Sequence, residues 1–424
     1  MANKEKYRNI EYVFDCFRGV LPFYGLAPSI IKLIFLKYLC DFSHDAMNIE
    51  DYKALRNLQT NIYSEYDIRK DCIYDAWKMI QRIYSLYDYD ILNSYDFISS
   101  LDENRKRQVK EILRMIELPT NVDEMKDLIL YIMSLGERDV TRTAMSFSNT
   151  SLIKLAEKIL DVKSKESFMD SFCGYNKTSL FIEAASYCGY EINSDVAIVA
   201  VIIMIMMDKN NFKVFNRDFY YSYQDFKVDK IFTDGPISGI IHDADKLPYD
   251  GGKRAEIYNV KFTLDRLTEN GKAFVTVPAS VLFSMNRSNV NLRKDILENV
   301  SAVLNLPPLW YGTNIPTCVL VLEKNKKNNE ILFVDASNKG VLNKSTRTYS
   351  LLDSDIDFIC DSLLNNVETK EFSSLININE INESNGYILS PSKYIEKGKI
   401  ESFRKVDVIQ KELNELYEKL NKLI

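Results

Sequence analysis

Residues 168–178 read FMDSFCGYNKT, which is typical of an apolar strand that runs into a glycine-containing turn and then a helix. The next two short apolar runs are each followed by an acidic residue, Glu191 and Asp218. The stretch ends in IFTDGPI at 231–237. In an open parallel sheet, ligands bind outside the carboxyl ends of the strands. We therefore predict that residues 166–237 form one nucleotide-cofactor site laid out over three strand ends.

The polar residues after these strands suggest individual roles. Asp170 and Gly174 would present a carboxylate and backbone N–H groups to a cofactor, although a lone glycine often only ends a strand. Glu191 lies 17 residues beyond Gly174, close to the spacing at which an acidic residue accepts hydrogen bonds from ribose hydroxyls in dinucleotide folds. The alternative for Glu191 is a solvated carboxylate. Asp218 would accept a hydrogen bond from an adenine amino group, or it would cap a helix.

The turn Asp234-Gly235-Pro236-Ile237 is a candidate for chemistry on an aromatic amine. Such an amine is a poor nucleophile because its lone pair is delocalised into the ring. A side-chain oxygen and a backbone carbonyl that both accept the amine protons would direct the lone pair toward a methyl donor. A rigid proline turn after a strand can present both acceptors. The alternative is an ordinary β-turn with proline at a favoured position.

The composition is that of an ordinary globular protein with room for two or three domains: 424 residues, 46% hydrophobic and 27% charged. The net charge of −6 argues against nucleic-acid binding over the whole surface, but it allows a local basic groove. The seven cysteines are scattered without a CxxC pair, which predicts reduced thiols and no metal site. The longest apolar run, 197–207, is too short to span a bilayer, and the first six residues lack signal-peptide character. We therefore expect a cytoplasmic protein without a membrane segment.

The sequence pattern divides the chain into four predicted parts. Residues 1–145 have helical periodicity, residues 146–345 alternate strands with helices, residues 346–399 form a polar extension, and residues 400–424 form a helix. Strands that alternate with helices indicate βαβ units and a parallel sheet. The predicted strands lie near residues 166–172, 189–192, 212–218, 230–234, 271–278, 301–307, 317–323 and 331–335. The helical part either binds nucleic acid or a partner, or is simply a bundle, and the sequence alone favours the second.

The last helix carries an apolar seam with alternating spacings of three and four residues. The seam consists of Val406, Ile409, Leu413, Leu416, Leu420 and Leu423. Because such a seam cannot stay exposed, it either folds back on this chain or pairs with a partner helix. We slightly favour a partner-facing coiled coil.

The second half of the chain contains several long motifs in a fixed order. The most specific are FTLDRL at 262–267, NGKA at 270–273, VPASVLF at 277–283, LNLPP at 304–308, YGTNIPTCVLVL at 311–322, FVDAS at 333–337 and YILSPSKYI at 387–395. In these motifs, and over nearly all of its length, the chain resembles the modification (methyltransferase) subunit of type I restriction–modification systems, a group of adenine-N6 DNA methylases.

The resemblance implies an α/β fold, the class I S-adenosylmethionine-dependent methyltransferase fold, which is Rossmann-like with a mostly parallel sheet. An N-terminal helical domain would precede this fold and a coiled-coil helix would follow it. The resemblance also implies S-adenosylmethionine as the cofactor, DNA as the substrate and no metal. The implied partners are a separate specificity subunit, a restriction (nuclease) subunit reached through the C-terminal helix, and a second copy of the chain in a homodimer.

The resemblance further assigns individual residues. Those matched to cofactor binding are Phe147, Ser148, Asp170, Cys173, Gly174, Glu191, Asn193 and Asp218. Those matched to the catalytic Asn-Pro-Pro-aromatic turn are Asp234, Gly235, Pro236 and Ile237.

The chain also departs from the family pattern, whose loop is usually Asp-Pro-x-Cys-Gly-Ser/Thr-Gly-Gly. Ser171 replaces the proline, and Asn176 and Lys177 replace the last two glycines. Ile237 replaces the aromatic residue on which a flipped adenine would stack, and Asn149 replaces a proline before the first predicted strand. Three hypotheses follow: an active adenine-N6 DNA methyltransferase, which we favour; a catalytically silent subunit that binds DNA or protein; and a methylase of a different amine.

Overall fold

A computed structural model describes residues 7–21, 25–41, 48–63, 69–86, 94–137, 148–221, 226–237, 239–249, 252–311, 313–344 and 348–396. Phe147 and the predicted C-terminal helix at 400–424 lie outside these residues. Among the helices in the described ranges, none is both long enough and apolar enough to cross a membrane.

The N-terminal part is a bundle of α-helices, as predicted. Its helices are α1 (Arg8–Phe17), α2 (Leu26–Asp41), α3 (Ile49–Tyr63), α4 (Lys70–Ile83), α5 (Glu103–Met115) and α6 (Val122–Glu137). Apolar residues occur around most of α2, and α2 is buried on nearly all sides, at the centre of the bundle. Asp102 begins α5, because its carboxylate accepts a hydrogen bond from the backbone N–H of Arg105 at 2.9 Å.

The second part is built on a nine-stranded sheet with the strand order β11-β8-β6-β7-β5-β4-β1-β2-β3. The strands are β1 (Ser167–Asp170), β2 (Ser186–Tyr190), β3 (Phe212–Phe215), β4 (Val228–Thr233), β5 (Leu267–Pro278), β6 (Val300–Leu306), β7 (Thr317–Glu323), β8 (Glu330–Asp335) and β11 (Ser373–Asn377), with a separate hairpin of β9 (Val341–Asn343) and β10 (Thr348–Ser350). Strands β7 and β11 run antiparallel to their neighbours, and the other strands of this sheet share one direction. Every predicted strand is present, and the mostly parallel sheet is confirmed. The polar segment 324–329 is a loop rather than a hairpin turn, because it joins β7 to β8 across the end of β6.

Helices cover both faces of the sheet. They are α7 (Thr150–Leu160), α8 (Ser194–Met206), α9 (Ala255–Asp265), α10 (Ala279–Phe283), α11 (Arg287–Ile296), α12 (Asp353–Leu364) and α13 (Pro391–Tyr394). Side chains alternate along each strand, so Phe168 and Phe232 pack with α7 and α12 on one face. Met169 and Ile231 pack with α9 and α11 on the other.

Helix α8 connects the sheet to the helical bundle. It is apolar and buried from Val196 to Met206, because it packs against β3 on one side and against α2 and α6 on the other. Lys32 of α2, which is 2% exposed, donates hydrogen bonds to Asp195 Oδ1 at 2.5 Å and to the Ser94 carbonyl at 2.9 Å. Burial lowers the pKa of Lys32, and the charge of Asp195 opposes that shift. One hydrophobic core therefore continues from the bundle to the sheet, while the predicted domain limits stay predictions.

Candidate functional site

The strand order brings the predicted acidic residues to one edge of the sheet. Strands β1, β2 and β4 are adjacent and parallel, so Asp170, Glu191 and Asp234 follow one another along their carboxyl ends. The charges of Asp234 and Glu191 both act on Asp170. Asp218 follows β3, which lies next to β2. This edge therefore concentrates negative charge, which suits a cationic ligand.

Asp170 is buried at the end of β1, with 3% of its surface exposed. Its Oδ2 accepts a hydrogen bond from Thr178 Oγ1 at 2.7 Å, and its Oδ1 accepts one from the backbone N–H of Phe172 at 3.2 Å. Burial raises the pKa of Asp170 to about 7, with smaller contributions from the two neighbouring carboxylates. The carboxylate thus orients the turn that follows β1 and titrates near neutral pH.

The raised pKa predicts that Asp170→Asn stabilises the fold at high pH. In the unfolded chain an aspartate ionises at about 3.9, so between that pH and about 7 the folded protein holds a proton that the unfolded chain has lost. Stability contributed by this group therefore falls as pH rises through that window. We expect Asp170→Asn to gain roughly 2–4 kcal/mol at pH 8 and little at pH 4. Denaturant titrations at both pH values measure this difference.

The matched control for that experiment is Asp353→Asn. Asp353 is exposed, and Lys154 holds its pKa below the usual value, so its stabilising effect is present at high pH and lost in acid. Asp353→Asn should be slightly destabilising at pH 8. Equal effects of Asp170→Asn at pH 4 and pH 8 would contradict the assignment of a buried, titrating Asp170.

The loop after β1 leaves space beside its backbone at one position, Gly174. Gly174 has a φ of +50°, which favours glycine, and no atom lies within 4 Å of the place where a Cβ would be. Cys173, in contrast, packs inward: a Cβ on Gly189 would lie 2.8 Å from its Sγ. Asn176 also adopts the left-handed region, with a φ of +56°, as asparagine tolerates. Gly174 is therefore the point of this loop that a ligand can approach closely.

The predicted helix after this loop is wrong. Residues 177–180 form a single 3₁₀ turn, and only residues 171–185 connect β1 to β2. That length is close to the minimum for a crossover between parallel strands, which leaves no room for a longer helix. The helical bundle packs over this short connection between β1 and β2. Leu180 packs into the core of the bundle, and Lys126 of α6 lies 4.4 Å from the centroid of the Phe181 ring.

The other predicted cofactor residues mostly hold turns together. Glu191 is half-buried, and its Oε1 accepts a hydrogen bond from the backbone N–H of Asn193 at 2.7 Å. Burial raises the pKa of Glu191, while N–H groups including that of Gly174 lower it. The Asn193 side chain begins α8 by accepting from the N–H of Asp195 at 3.0 Å. Asp218 accepts from the backbone N–H of Tyr220 at 2.9 Å, and no helix in the described ranges begins at residues 219–221.

Asp234 is held in place by three donors. Its Oδ1 accepts from Thr276 Oγ1 at 2.8 Å and from Trp310 Nε1 at 3.0 Å. Its Oδ2 accepts from Ser148 Oγ at 2.8 Å. Ser148, predicted to bind cofactor, thus contacts the predicted catalytic residue. The described donors occupy three of the about four acceptor positions of a carboxylate, so Oδ2 keeps capacity for a further donor.

Two of those donors, Thr276 and Trp310, were not predicted from the sequence, and neither was the structural role of Asn149 nearby. Thr276 could have been found from strand pairing, because Thr233 pairs with Val275 of β5 and Thr276 follows directly. Trp310 lies on the loop after β6, and no signal in the sequence places that loop against β4. Asn149 is buried and begins α7; it donates to the carbonyls of Leu309 and Tyr349, each at 3.0 Å.

The turn after β4 requires glycine at its second position. A Cβ on Gly235 would lie 2.6 Å from Asn259 Nδ2 and 2.6 Å from a ring carbon of Phe172. Phe172 is fixed by Phe219, whose ring centroid lies 4.9 Å away. The aromatic ring of Phe172 therefore occupies the space that a proline ring at position 235 would need. Pro236 is exposed and Ile237 is half-buried.

Lys177 contacts the segment that carries Ser148. Its side chain is 6% exposed, and its Nζ donates to the carbonyl oxygen of Ser148 at 3.4 Å. It therefore connects the loop after β1 directly to the segment before α7, which carries the donor to Asp234. These two segments are the ones expected to flank the cofactor.

The described residues fit a cationic nucleoside cofactor. Glu191 stands at the strand end where ribose hydroxyls would be bound, Gly174 faces open space, and the carboxylates of Glu191 and Asp234 supply negative charge for a sulfonium. S-adenosylmethionine has all of these complementary groups. Glu191 and Gly174 would hold its nucleoside, with Asp234 at the reacting end.

Comparisons with known proteins agree with this geometry. Residues 134–403, more than half of the chain, match the N-6 DNA Methylase family. A solved structure of the type I restriction-modification system methyltransferase subunit from Streptococcus thermophilus is 17% identical, with a TM-score of 0.74, over 93% of this chain and 99% of that one. A modification subunit of a putative type I restriction enzyme from Vibrio vulnificus is 14% identical, with a TM-score of 0.66, over 90% of this chain and 94% of that one.

At these identities the structural likeness shows the fold, and it confirms the predicted class I methyltransferase architecture. The match of residues 134–403 to the family model also shows to which family of enzymes the chain belongs. The chain belongs to the N-6 DNA methylase family of S-adenosylmethionine-dependent adenine-N6 DNA methyltransferases.

Proposed function

We propose that this chain is the modification subunit of a type I-like restriction–modification assembly, in which it methylates N6 of adenine in DNA. The observation that carries the proposal is Asp234: a carboxylate at a strand end, fixed by three donors, beside two further carboxylates. Similarity of the fold to type I modification subunits supports the choice of assembly.

The residues of the site would act on a flipped adenine, because the amine is otherwise locked in a base pair. Asp234 Oδ2, which can accept one more hydrogen bond, and the carbonyl oxygen of Gly235 would accept the two amine protons. The amine lone pair would then point out of the adenine ring toward the methyl donor. S-adenosylmethionine supplies the methyl group when bound. Trp310, fixed by its hydrogen bond to Asp234, places an aromatic side chain beside the turn where Ile237 provides none.

The proposal includes partners. The target sequence would be read by a separate specificity subunit, and a restriction (nuclease) subunit would complete the assembly through the predicted C-terminal helix. A homodimer of this chain within the assembly and a location in the cytoplasm, where its DNA substrate would be reached, belong to the same proposal.

Binding and transfer assays test the proposal separately. Isothermal titration with S-adenosylmethionine measures binding, and labelled methyl transfer onto DNA measures activity. Expression in a host without adenine methylation, followed by sequencing that detects N6-methyladenine, covers the case in which a partner is required. Binding of S-adenosylmethionine without any methylated adenine, also with co-expressed partner subunits, would contradict the proposal.

Lys177 favours a second candidate, a silent subunit that uses the same fold as a scaffold. Its buried side chain spans the cleft between the loop after β1 and Ser148, so a bound methionine group would have to displace it. We expect Lys177→Gly to raise the affinity for S-adenosylmethionine by about tenfold or more, since the change frees that space and removes a competing cation.

Titration calorimetry measures this change, and Lys163→Gly is the control, because Lys163 is exposed in the loop before β1. A weaker affinity in Lys177→Gly would instead mean that the ammonium binds the cofactor carboxylate. Absence of binding in both the natural chain and Lys177→Gly would favour the silent scaffold.

A further inference from the structure

Two large apolar side chains are exposed close to the catalytic turn. Phe283 is 51% exposed and Met285 is 64% exposed. They lie on the segment that directly follows β5, the strand whose Thr276 donates to Asp234. Both side chains therefore stand at the edge of the sheet where the target base would be bound.

A buried arginine holds this segment rigidly. Arg293 of α11 is fully buried, and its guanidinium donates five hydrogen bonds to backbone carbonyls. The acceptors are Val281 at 2.8 Å, Ser284 at 2.9 Å, Gly386 at 2.8 and 3.2 Å, and Tyr387 at 3.0 Å. Burying a charged group is costly unless its donors are satisfied. The fold thus uses a buried, extensively hydrogen-bonded charge to fix a loop that carries two exposed apolar side chains.

Cationic residues continue from this segment to the catalytic turn. Lys253, Arg254 and Arg287 are all exposed. The backbone N–H of Ile241, just after the turn, donates to the Lys253 carbonyl at 2.9 Å, and a Cβ on Gly252 would lie 3.5 Å from Ser288 Oγ. Arg254 pairs with the buried carboxylate of Glu256 at 3.4 Å, whereas Lys253 and Arg287 present their charges to solvent. In a chain whose net charge is −6, these two lysine and arginine side chains form a local site of attraction for anions.

We propose that this path, the DNA strip formed by Lys253, Arg254, Phe283, Met285 and Arg287, holds duplex DNA around the target adenine. Phe283 and Met285 enter the base stack where the adenine leaves, and the cations contact the flanking phosphates. Removing a base from the stack leaves an apolar gap, and apolar side chains fill such gaps in bent or opened DNA. The proposal rests on the proposed function, because it assumes that a base is flipped at Asp234.

A DNA-binding experiment with the full chain tests the DNA strip. The probes are a fluorescently labelled duplex and the same duplex with one abasic site, in which the gap is already present. We expect the natural chain to prefer the abasic duplex. The double variant Phe283→Ala/Met285→Ala should bind that duplex about tenfold more weakly and lose the preference, as the contribution of one stacked side chain suggests. Leu364→Ala is the control, because Leu364 is 62% exposed at the opposite edge of the sheet.

The cations are tested by salt dependence. Arg287→Gln should weaken binding to both duplexes equally and reduce the slope of log K against log salt concentration by about 0.9. Lys327→Gln, which changes an exposed lysine on the β7–β8 loop, should leave that slope unchanged. Circular dichroism melting of every variant checks that the fold is intact.

The outcomes separate this inference from the proposed function. Unchanged binding of both duplexes by the Phe283/Met285 double variant overturns the DNA strip. So does a double variant that binds DNA normally but no longer retains a protein subunit, since the surface is then a protein-docking site. Abasic preference that depends on Phe283, in a chain that never methylates DNA, would support the strip and sink the methyltransferase proposal.

Discussion

Replacing Asp234 with alanine is expected to lower the rate of methyl transfer to DNA by roughly 10³-fold, while binding of S-adenosylmethionine persists. The reason is geometric: three donors fix this carboxylate, so it meets the amine without a cost for reorientation at the moment of reaction. Alanine removes the acceptor and also leaves Thr276 and Trp310 without their shared partner. Single-turnover transfer of labelled methyl groups measures the loss.

The informative control is Asp234→Asn. Its carbonyl oxygen can accept from Thr276 and Trp310, and its amide can donate to Ser148 Oγ, since a hydroxyl both donates and accepts. This arrangement puts an N–H donor where Oδ2 would accept the amine proton, so we expect the asparagine variant to lose activity nearly as far as the alanine variant while Thr276 and Trp310 keep their acceptor. Activity of the asparagine variant within about tenfold of the natural chain would mean that the amine is oriented by another acceptor. Full activity of Asp234→Ala would remove this residue from the mechanism.

Most of the sheet could be predicted from the sequence because its strands are buried on both faces. Continuous apolar runs such as 271–278 and 317–323 are typical of such strands, and the predicted strands are all found. Strand β11 was not predicted, since only one of its five residues, Ser373, is buried and its sequence has no apolar run. It adds to the sheet edge by pairing with β8, a contact that local sequence does not reveal.

The site was predictable in outline and not in detail. The strand-end acids Asp170, Glu191 and Asp234 were placed correctly at one edge, because parallel strands bring their carboxyl ends together. We predicted a helix after this loop, and its absence could not be foreseen from residues 177–185 alone, because their apolar content allows a helix. What excludes it is the short distance along the chain to β2, together with the bundle that covers the same surface.

Two residues on neighbouring loops constrain each other. Phe172 occupies the unspecified position of the Asp-Pro-x-Cys-Gly pattern after β1, and Gly235 stands where the family's turn has its first proline. In the structure the Phe172 ring fills the space beside Gly235, and Phe219 packs against its other side. A large residue in one loop therefore requires the smallest residue in the other. Restoring proline at 235 alone should clash with the Phe172 ring and with Asn259 Nδ2, so a return of the turn to the family sequence requires more space at both residues.

The fragment 148–424 is expected to be insoluble when produced without residues 1–147. Helix α8 is apolar from Val196 to Met206, and the side that faces α2 and α6 would become exposed. Each large aliphatic side chain uncovered in this way costs about 1.5–3 kcal/mol, so a few of them exceed the net stability of a typical domain, roughly 5–15 kcal/mol. Sedimentation of the expressed fragment and its thermal melting by circular dichroism measure the effect.

The two parts supplied as separate chains form the control. Co-expression of residues 1–147 should restore soluble 148–424, because the two parts share one core and the Lys32–Asp195 ion pair at 2.5 Å. Lys32→Met in the helical chain should weaken that rescue, since it removes the only charge of the pair that lies inside the core; the Asp195 side chain is 56% exposed. A fragment 148–424 that is soluble and melts cooperatively without residues 1–147 would show that the helical bundle is a separate domain. The apolar side of α8 would then have to be buried against another surface.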